Sequence, residues 1–341
     1  MDLDTFLTTL YVLVDDWYKT EIGTLAQRRK AGTLKMSDSE VLTVALVGQW
    51  EVGVPWRSER GVVRYMQTHG RGWFPKMLER SAFNERVRHL CMVLAALQAW
   101  IAQQLTATGD IYEVEDGLPL PVCSLGQMQR EKQHWLGAQS SLGHGGTHGG
   151  WFYGQRWWVS VTPKGVITGW LVGAAHLNER WMQEAFLTTR AGHGALACPP
   201  VNTHEIQRSR LSLPGGFMGG FFAVGQSQAR PYVVDRGLNG KRWRQHWWQH
   251  YQTTVIAIPP ANAPEHRLWT RADCLWLAHV RQIIETIFSV LTTVFGIKRV
   301  NAHSLWGQYT RLAAKAAAYN LAIWFNQRLQ RPLLAAATLI I

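Results

Sequence analysis

The sequence predicts an α/β fold, a mixed sheet flanked by helices, preceded by an all-helical amino-terminal domain. Three observations carry this. Residues 1 to about 105 place apolar positions at helical spacing behind helix caps, and from about residue 110 short strand-like segments interleave with helical ones. In addition, 47% of the 341 residues are hydrophobic, enough for a core without covalent staples. The expected division is a helical domain over 1–105, an α/β domain over 106–300, and a carboxy-terminal helix over 301–341 packed on the second.

In the first region, SDSEVLTVALVGQW opens with Ser37 three residues before Glu40, a capping box, then places Val41, Leu42, Ala45 and Leu46 at helical spacing. SAFNERVRHLCMVLAALQAWIA starts behind a second candidate cap, Ser81, with Phe83, Val87, Leu90, Val93 and Leu94 on one face. Then the period changes. IYEVEDGLPLPV alternates Tyr112, Val114 and Asp116 on a core-facing side with Glu113 and Glu115 on the other. RWWVSVTPKGVITGWLVGAA reads as two strands joined at Pro163, Lys164 and Gly165, and LNERWMQEAFLTTRAG as a helix stopped by Gly192. RPYVVDRG is a strand that turns at Gly237 and Gly240; GKRWRQHWWQHY is a short helix and TTVIAIPP a further strand. Two long helices follow, in HVRQIIETIFSVLTTVFGI and YTRLAAKAAAYNLAIWFNQRLQ. LGHGGTHGGWFYG and Pro199 to Arg230 fit neither period and read as loops, and no solenoid repeat is visible. His144 and His148 have no cysteine or carboxylate at ligand spacing, so incidental imidazoles suit them better than a metal site.

Lysine and arginine outnumber aspartate and glutamate 35 to 23, a formal charge of +12 that points to a polyanionic partner. The apolar stretches Phe6 to Val14 and Pro332 to Ile341 fall short of the roughly 20 residues of a bilayer span, and no basic segment precedes a cleavable apolar one. The expectation is therefore a cytoplasmic protein without a membrane partner, and nucleic acid as the polyanion. A basic series in the helical region, Arg57, Arg60, Arg64, Arg71, Lys76, Arg80, Arg86 and Arg88, suits either a solvated face or one laid against phosphates. Cys91, Cys123, Cys198 and Cys274 lie far apart, which argues against a disulfide framework or a zinc ribbon.

Acids are scarce beyond Asp116. Glu131, Glu179, Glu184, Glu205, Glu265 and Asp273 fall in polar loops or on helix faces where solvation explains them. Three others do not fit that description. Asp116 shares a strand side with Tyr112 and Val114, Asp235 ends the strand YVV, and Glu285 sits in a helix with apolar residues at 283, 284, 287, 288, 291 and 294. A carboxylate near apolar surroundings is costly unless a charge compensates, and one divalent site would compensate all three. Hard oxygen donors favour magnesium or manganese, and two such ions suit in-line phosphoryl transfer. Other roles stay open: Asp116 as a turn residue beside Gly117, Asp235 as a turn aspartate or helix cap, Glu285 as an ion partner of Arg281.

These residues resemble the DDE transposases of bacterial insertion sequences, with a ribonuclease-H-like catalytic domain. DGLPLPV resembles that family's first-aspartate strand, VVDRGLNG its second, and RQIIETIF its glutamate-bearing helix with Arg281 four residues ahead of Glu285. WFYGQRWWVSVTPKGVITGWLVGAAHLNE is similar to the strand pair between the aspartates, and SDSEVL and SAFNERVRHL to the amino-terminal region. The likeness covers most of Ile111 to Arg328.

The resemblance implies a helical DNA-binding domain and a ribonuclease-H-like catalytic one. It implies binding to terminal inverted repeats, cleavage by a metal-activated water, and attack of the freed 3′-hydroxyl on target DNA. Asp116, Asp235 and Glu285 would be the catalytic residues and the ligands of two Mg2+ (or Mn2+) ions, with no small-molecule cofactor. The partner would be double-stranded DNA, bound by a homodimer. Residues expected to face DNA are Arg281, Lys298 and Arg299, Arg156, the cluster Lys241, Arg242, Trp243 and Arg244, and Arg57, Arg60 and Arg64. The sequence departs from the family in two places. Thr292 stands where a lysine or arginine often follows the glutamate, and the interval from Asp235 to Glu285 is too short for a large β-insertion. Among 18 tryptophans, Trp157, Trp158, Trp247 and Trp248 suit core packing better than base stacking, and Trp243 is the best stacking candidate. Alternative readings are a nuclease of the same fold without strand transfer, and a DNA-binding protein that has lost catalysis.

Overall fold

A computed structural model describes residues 1–22, 34–106, 110–130, 140–145, 150–192, 230–300, 302 and 304–341. Glu131, His148, Cys198, Glu205 and nearly all of the segment from Pro199 to Arg230 lie outside the described residues. The chain divides into two compact units, one holding residues 1–101 and 290–341, the other 102–196 and 211–289.

The first unit is helical. α1 (Leu3–Trp17) is capped by Asp2, whose side chain accepts from the Thr5 amide, and α2 (Asp38–Val47) carries the expected capping box of Ser37 and Glu40. α3 (Glu59–Thr68) starts behind Ser58. The expected single helix from Ser81 is instead two, α4 (Arg80–His89) and α5 (Cys91–Thr106), broken at Leu90, and the residue ahead of α4 is Glu79, which makes no side-chain cap. Ser81 therefore lies inside the first turn, where its hydroxyl has no free helix start to serve.

α10 (Leu305–Arg328), capped by Ser304, was expected on the α/β domain, but it packs on α2 and α4. Every residue from Gln308 to Asn326 except Arg311 is buried, because the alanines at 313, 314, 316, 317, 318 and 322 let neighbouring helices approach on all sides. Phe6, Trp50, Phe295 and Phe325 form the aromatic centre of this unit, with ring centroids 5.0–5.3 Å apart.

In the second unit, β1 (Glu113–Cys123) pairs antiparallel with β3 (Trp151–Val161) along its length. The other edge of β3 is shared: β2 (Ser141–His144) pairs with its first half and β4 (Ile167–Ala174) with its second. On the far edge of β1, β5 (Tyr232–Val233) runs parallel at Glu113 and Val114, and β6 (Val255–Ile256) runs parallel to β5. Beyond Val114 that edge has no strand partner among the described residues, which is where β1 carries Pro119 and Pro121, residues with no amide to donate. The β3–β4 turn contains Gly165 at φ 87°, a left-handed conformation that favours glycine.

One face of this sheet buries Trp158, Leu171, Tyr232 and Val234 against Met182 and Phe186 of α7 (Glu179–Gly192) and Trp247 of α8 (Lys241–Tyr251). α9 (Arg271–Thr293) meets the opposite face, where Trp276 and Tyr112 pack edge to face with ring centroids 5.6 Å apart. α9 is long and apolar enough to cross a bilayer by length and composition, unlike the stretches singled out from the sequence. Its Leu277, Val280, Ile284 and Ile287 are buried as one stripe, and Arg281 pairs with Asp235. A helical region followed by a mixed sheet flanked by helices is consistent with a ribonuclease-H-like fold.

Candidate active site

β1 and β5 place the two aspartates. Val114 pairs with Val233, and the parallel register carried two residues onward sets Asp116 level with Asp235. Strand alternation then turns both toward the face that α9 meets. Asp116 is half-buried, and its Oδ1 accepts from the Gly117 amide at 2.7 Å. Burial pushes its carboxyl up to about 6; the Gly117 amide and Arg281 oppose that rise, and the negative charges of Glu179 and Asp235 add to it. Asp235 precedes a 3-10 turn, Arg236–Leu238, but its side chain does not cap it. It pairs instead with Arg281, Nη1 to Oδ1 at 2.9 Å. Arg281 therefore bridges from α9 to Asp235 and is not held by Glu285.

Glu285 departs from expectation. Ile284 and Ile287 are buried but Glu285 is exposed, with no ion pair among the described residues. The apolar positions around it form one stripe of α9, and Glu285 lies outside that stripe. It sits one turn, ~5.4 Å, beyond Arg281 on the same helix face. Among the described residues no three His, Cys, Asp or Glu side chains form a ready-made metal cage.

Four acids that the sequence reading treated as solvated, or as the outer side of a strand, are tied into the structure. Glu113 and Glu115 are each 1% exposed, under α7. Burial pushes Glu113 up, but the charge of Arg190 and hydrogen bonds from Arg190, Ser160 and Thr168 hold it below the ordinary value. Arg190 reaches it through both guanidinium nitrogens, at 2.6 and 2.9 Å. Glu115 is pushed up to about 8 by burial and by the charge of Glu113. Glu184 accepts from Trp247 and Tyr251 and contacts His246. Glu179, at the start of α7, pairs with Arg156 at 2.6 Å and sends its charge onto Asp116. The sequence signal for Glu179 is only its place in the polar turn after the strand pair.

The expected DNA-facing residues divide. Arg156 pairs with Glu179 and donates to the His144 carbonyl, with its side chain 13% exposed and stretched over Gly117. Lys241, Arg242, Lys298, Arg57, Arg60 and Arg64 are exposed, Arg244 is half-buried, and Arg299 is exposed while paired with Glu51. Trp243 is half-buried among Trp181, His246 and Trp247. Trp157, Trp158 and Trp247 are core residues and Trp248 is exposed. Cys91, Cys123 and Cys274 are free thiols.

No curated protein and no solved structure matches this chain. The family described as "Transposase DDE domain" matches residues 226–321, a stretch that carries Asp235, Arg281 and Glu285 and leaves Asp116 upstream. A DDE transposase domain is thus present over that part of the chain, consistent with a polynucleotidyl-transferase-type function.

Proposed function

We propose that the protein is a divalent-metal-dependent DDE transposase that binds the terminal inverted repeats of its element as a dimer, cleaves DNA and joins 3′-hydroxyl ends to target DNA. The observation that carries this reading is the pair Asp116 and Asp235, level on adjacent parallel strands and electrostatically coupled. Two carboxylates forced together in a half-buried site repel each other, which is a donor set suited to a hard dication. Asp116 and Asp235 would hold it, with Glu285 as the third donor from α9. Such ions would supply neutralisation of the phosphate charge and stabilisation of the attacking and leaving oxygens.

The chain's own groups supply the rest. Asp116, within β1, and Asp235, just past β5, fix the position of the reacting phosphate where the parallel pairing of the two strands stops. Arg281 neutralises Asp235 in the absence of another cation and is released to a DNA phosphate when one takes its place. In cleavage a water oxygen bonds to phosphorus, the phosphorus bond to the 3′ oxygen breaks, and that oxygen leaves as a hydroxyl after taking a proton. In joining, the same hydroxyl attacks a target phosphodiester and displaces its 3′ oxygen. The protein acts in the cytoplasm on chromosomal or plasmid DNA.

The test is incubation with linear DNA carrying the element's flanking repeats, with and without magnesium, followed by mapping of nicked ends and of joined target plasmid. Magnesium-dependent nicks at the repeats with joined products support the reading. Nicks without joining support a nuclease. Binding of the repeats without any nick would leave a DNA-binding protein without catalysis.

A further inference from the structure

The helical unit contains a cavity of about 460 Å3, within the range of small-ligand sites and too small for a duplex. Its wall is strongly cationic. α3 and the residue before its cap contribute Arg60 and Arg57, and α4 contributes Arg80 and Arg88. From the carboxy-terminal part come Arg299, Arg311 and Lys315. Among the described residues the acids on the wall are Glu51 and Glu59, and each is already matched, Glu51 by Arg299 and Glu59 by Arg311. Arg57, Arg60, Arg80 and Arg88 are exposed and pair with no acid among the described residues.

Two further features point inward. α3 and α10 both begin at this cavity: their capping residues Ser58 and Ser304 line it, and each hydroxyl satisfies only one amide of its helix start. Lys315 is buried on the same wall, its ammonium donating to the Phe295 carbonyl, and burial brings it down to about 8. The remaining wall mixes the apolar Val44, Val62, Phe83 and Val87 with the polar Gln49, Asn84 and Thr310.

We propose that this cavity binds one nucleotide unit, its phosphate held between the unpaired arginines and the two helix starts and its sugar and base against the remaining wall. The site rests on the transposase reading only for DNA as the source of that nucleotide; a free nucleotide carries the same chemistry.

The full-length protein is titrated calorimetrically with adenosine monophosphate and with a short 5′-phosphorylated single-stranded oligonucleotide, as wild type and as Arg80→Gln/Arg88→Gln. Expected is binding of at least one of the two probes that the double variant weakens about tenfold or more at unchanged melting temperature. If the oligonucleotide binds and displaces the monophosphate, the source is nucleic acid; if the monophosphate alone binds, it is a free nucleotide. Should the double variant melt lower, Arg80→Gln alone is scored by the same criterion with a several-fold loss. Binding of neither probe, or equal binding by wild type and a stable variant, overturns the site. Magnesium-dependent nicking of repeat-bearing DNA is scored in parallel. A protein that nicks without variant-sensitive nucleotide binding refutes the cavity alone, and one that binds without nicking refutes the transposase reading alone.

Discussion

Two arginine–carboxylate pairs lie in the same sheet unit and differ in what surrounds them. Glu113 on β1 is gripped by both nitrogens of Arg190, accepts from Ser160 and Thr168, and is closed off under α7. Asp235, beside Asp116, has a single contact from Arg281, and the two side chains are 34% and 40% exposed. The first carboxylate has both oxygens engaged by the protein and is closed to solvent. The second keeps open positions next to another acid. A carboxylate satisfied on all sides serves the fold, whereas one left partly unsatisfied beside a like charge is available for chemistry.

The largest effect that would break this comparison is at the closed pair. Arg190→Met strands a buried charge at Glu113, and the expected loss is ~3–5 kcal/mol of unfolding free energy, the usual cost of removing one partner of a buried pair. Urea denaturation measures it. A loss below 1 kcal/mol would mean that Glu113 readily takes up a proton, and the contrast between the two sites would collapse.

At the open site the expectation is reversed. Asp235→Asn should leave stability nearly unchanged, and Asp116→Asn, which removes a carboxyl that burial pushes up to about 6, should raise it at neutral pH, while each lowers magnesium-dependent strand cleavage by about 10²–10³-fold, the loss expected for a group that stabilises charge in the transition state. DNA affinity should be kept or increased as negative charge is removed. Cleavage by both variants at the wild-type rate would sink the metal-site proposal. Their melting temperatures separate chemistry from folding.

Part of this was legible in the sequence and part was not, for identifiable reasons. The capping box of Ser37 and Glu40 and the turn at Gly165 are local devices, so a short window suffices. Asp235 could be singled out because it follows a strand run and precedes a turn, and Asp116 because it shares a strand side with Tyr112 and Val114, although β1 runs on past Gly117 to Cys123 and does not turn there. Glu113 and Glu115 could not be recognised as buried, since alternation implies one wet face and the compensating Ser160, Thr168 and Arg190 lie far along the chain. Glu285 was misplaced because apolar neighbours in sequence wind into a stripe that excludes it. α10 is apolar on all sides and so gives no sign of which unit receives it.

A smaller, pH-dependent effect sharpens the closed region. Glu115 has its folded value raised to about 8 from 4.5, so in that window the folded state binds more protons than the unfolded one. Its contribution to stability is therefore fully present below pH 4.5 and lost as pH rises through about 8. Glu115→Gln removes the titration. The variant should gain on wild type as pH rises, by up to ~3 kcal/mol at neutrality, and the gain should fade toward pH 4.5. Parallel stability curves for the two proteins would contradict the burial of Glu115 as a neutral acid.

The smallest expected effect is at Arg281, and it tests the open pair in the same terms as Arg190 tested the closed one. Arg281→Gln removes a single, partly solvated contact, so unfolding free energy should change by only ~0–1 kcal/mol. Asp235 is left without its guanidinium, and the repulsion between it and Asp116 then has no local counter-charge. A dication should consequently bind the variant more tightly, since it no longer competes with Arg281, even as DNA affinity falls through loss of a phosphate contact. Titration with manganese followed by electron paramagnetic resonance measures the first, and binding of repeat DNA across a salt series the second. If manganese binds the variant more weakly, Arg281 helps to build the site and does not merely stand in it. The bridge to Asp235 would then belong to the working geometry.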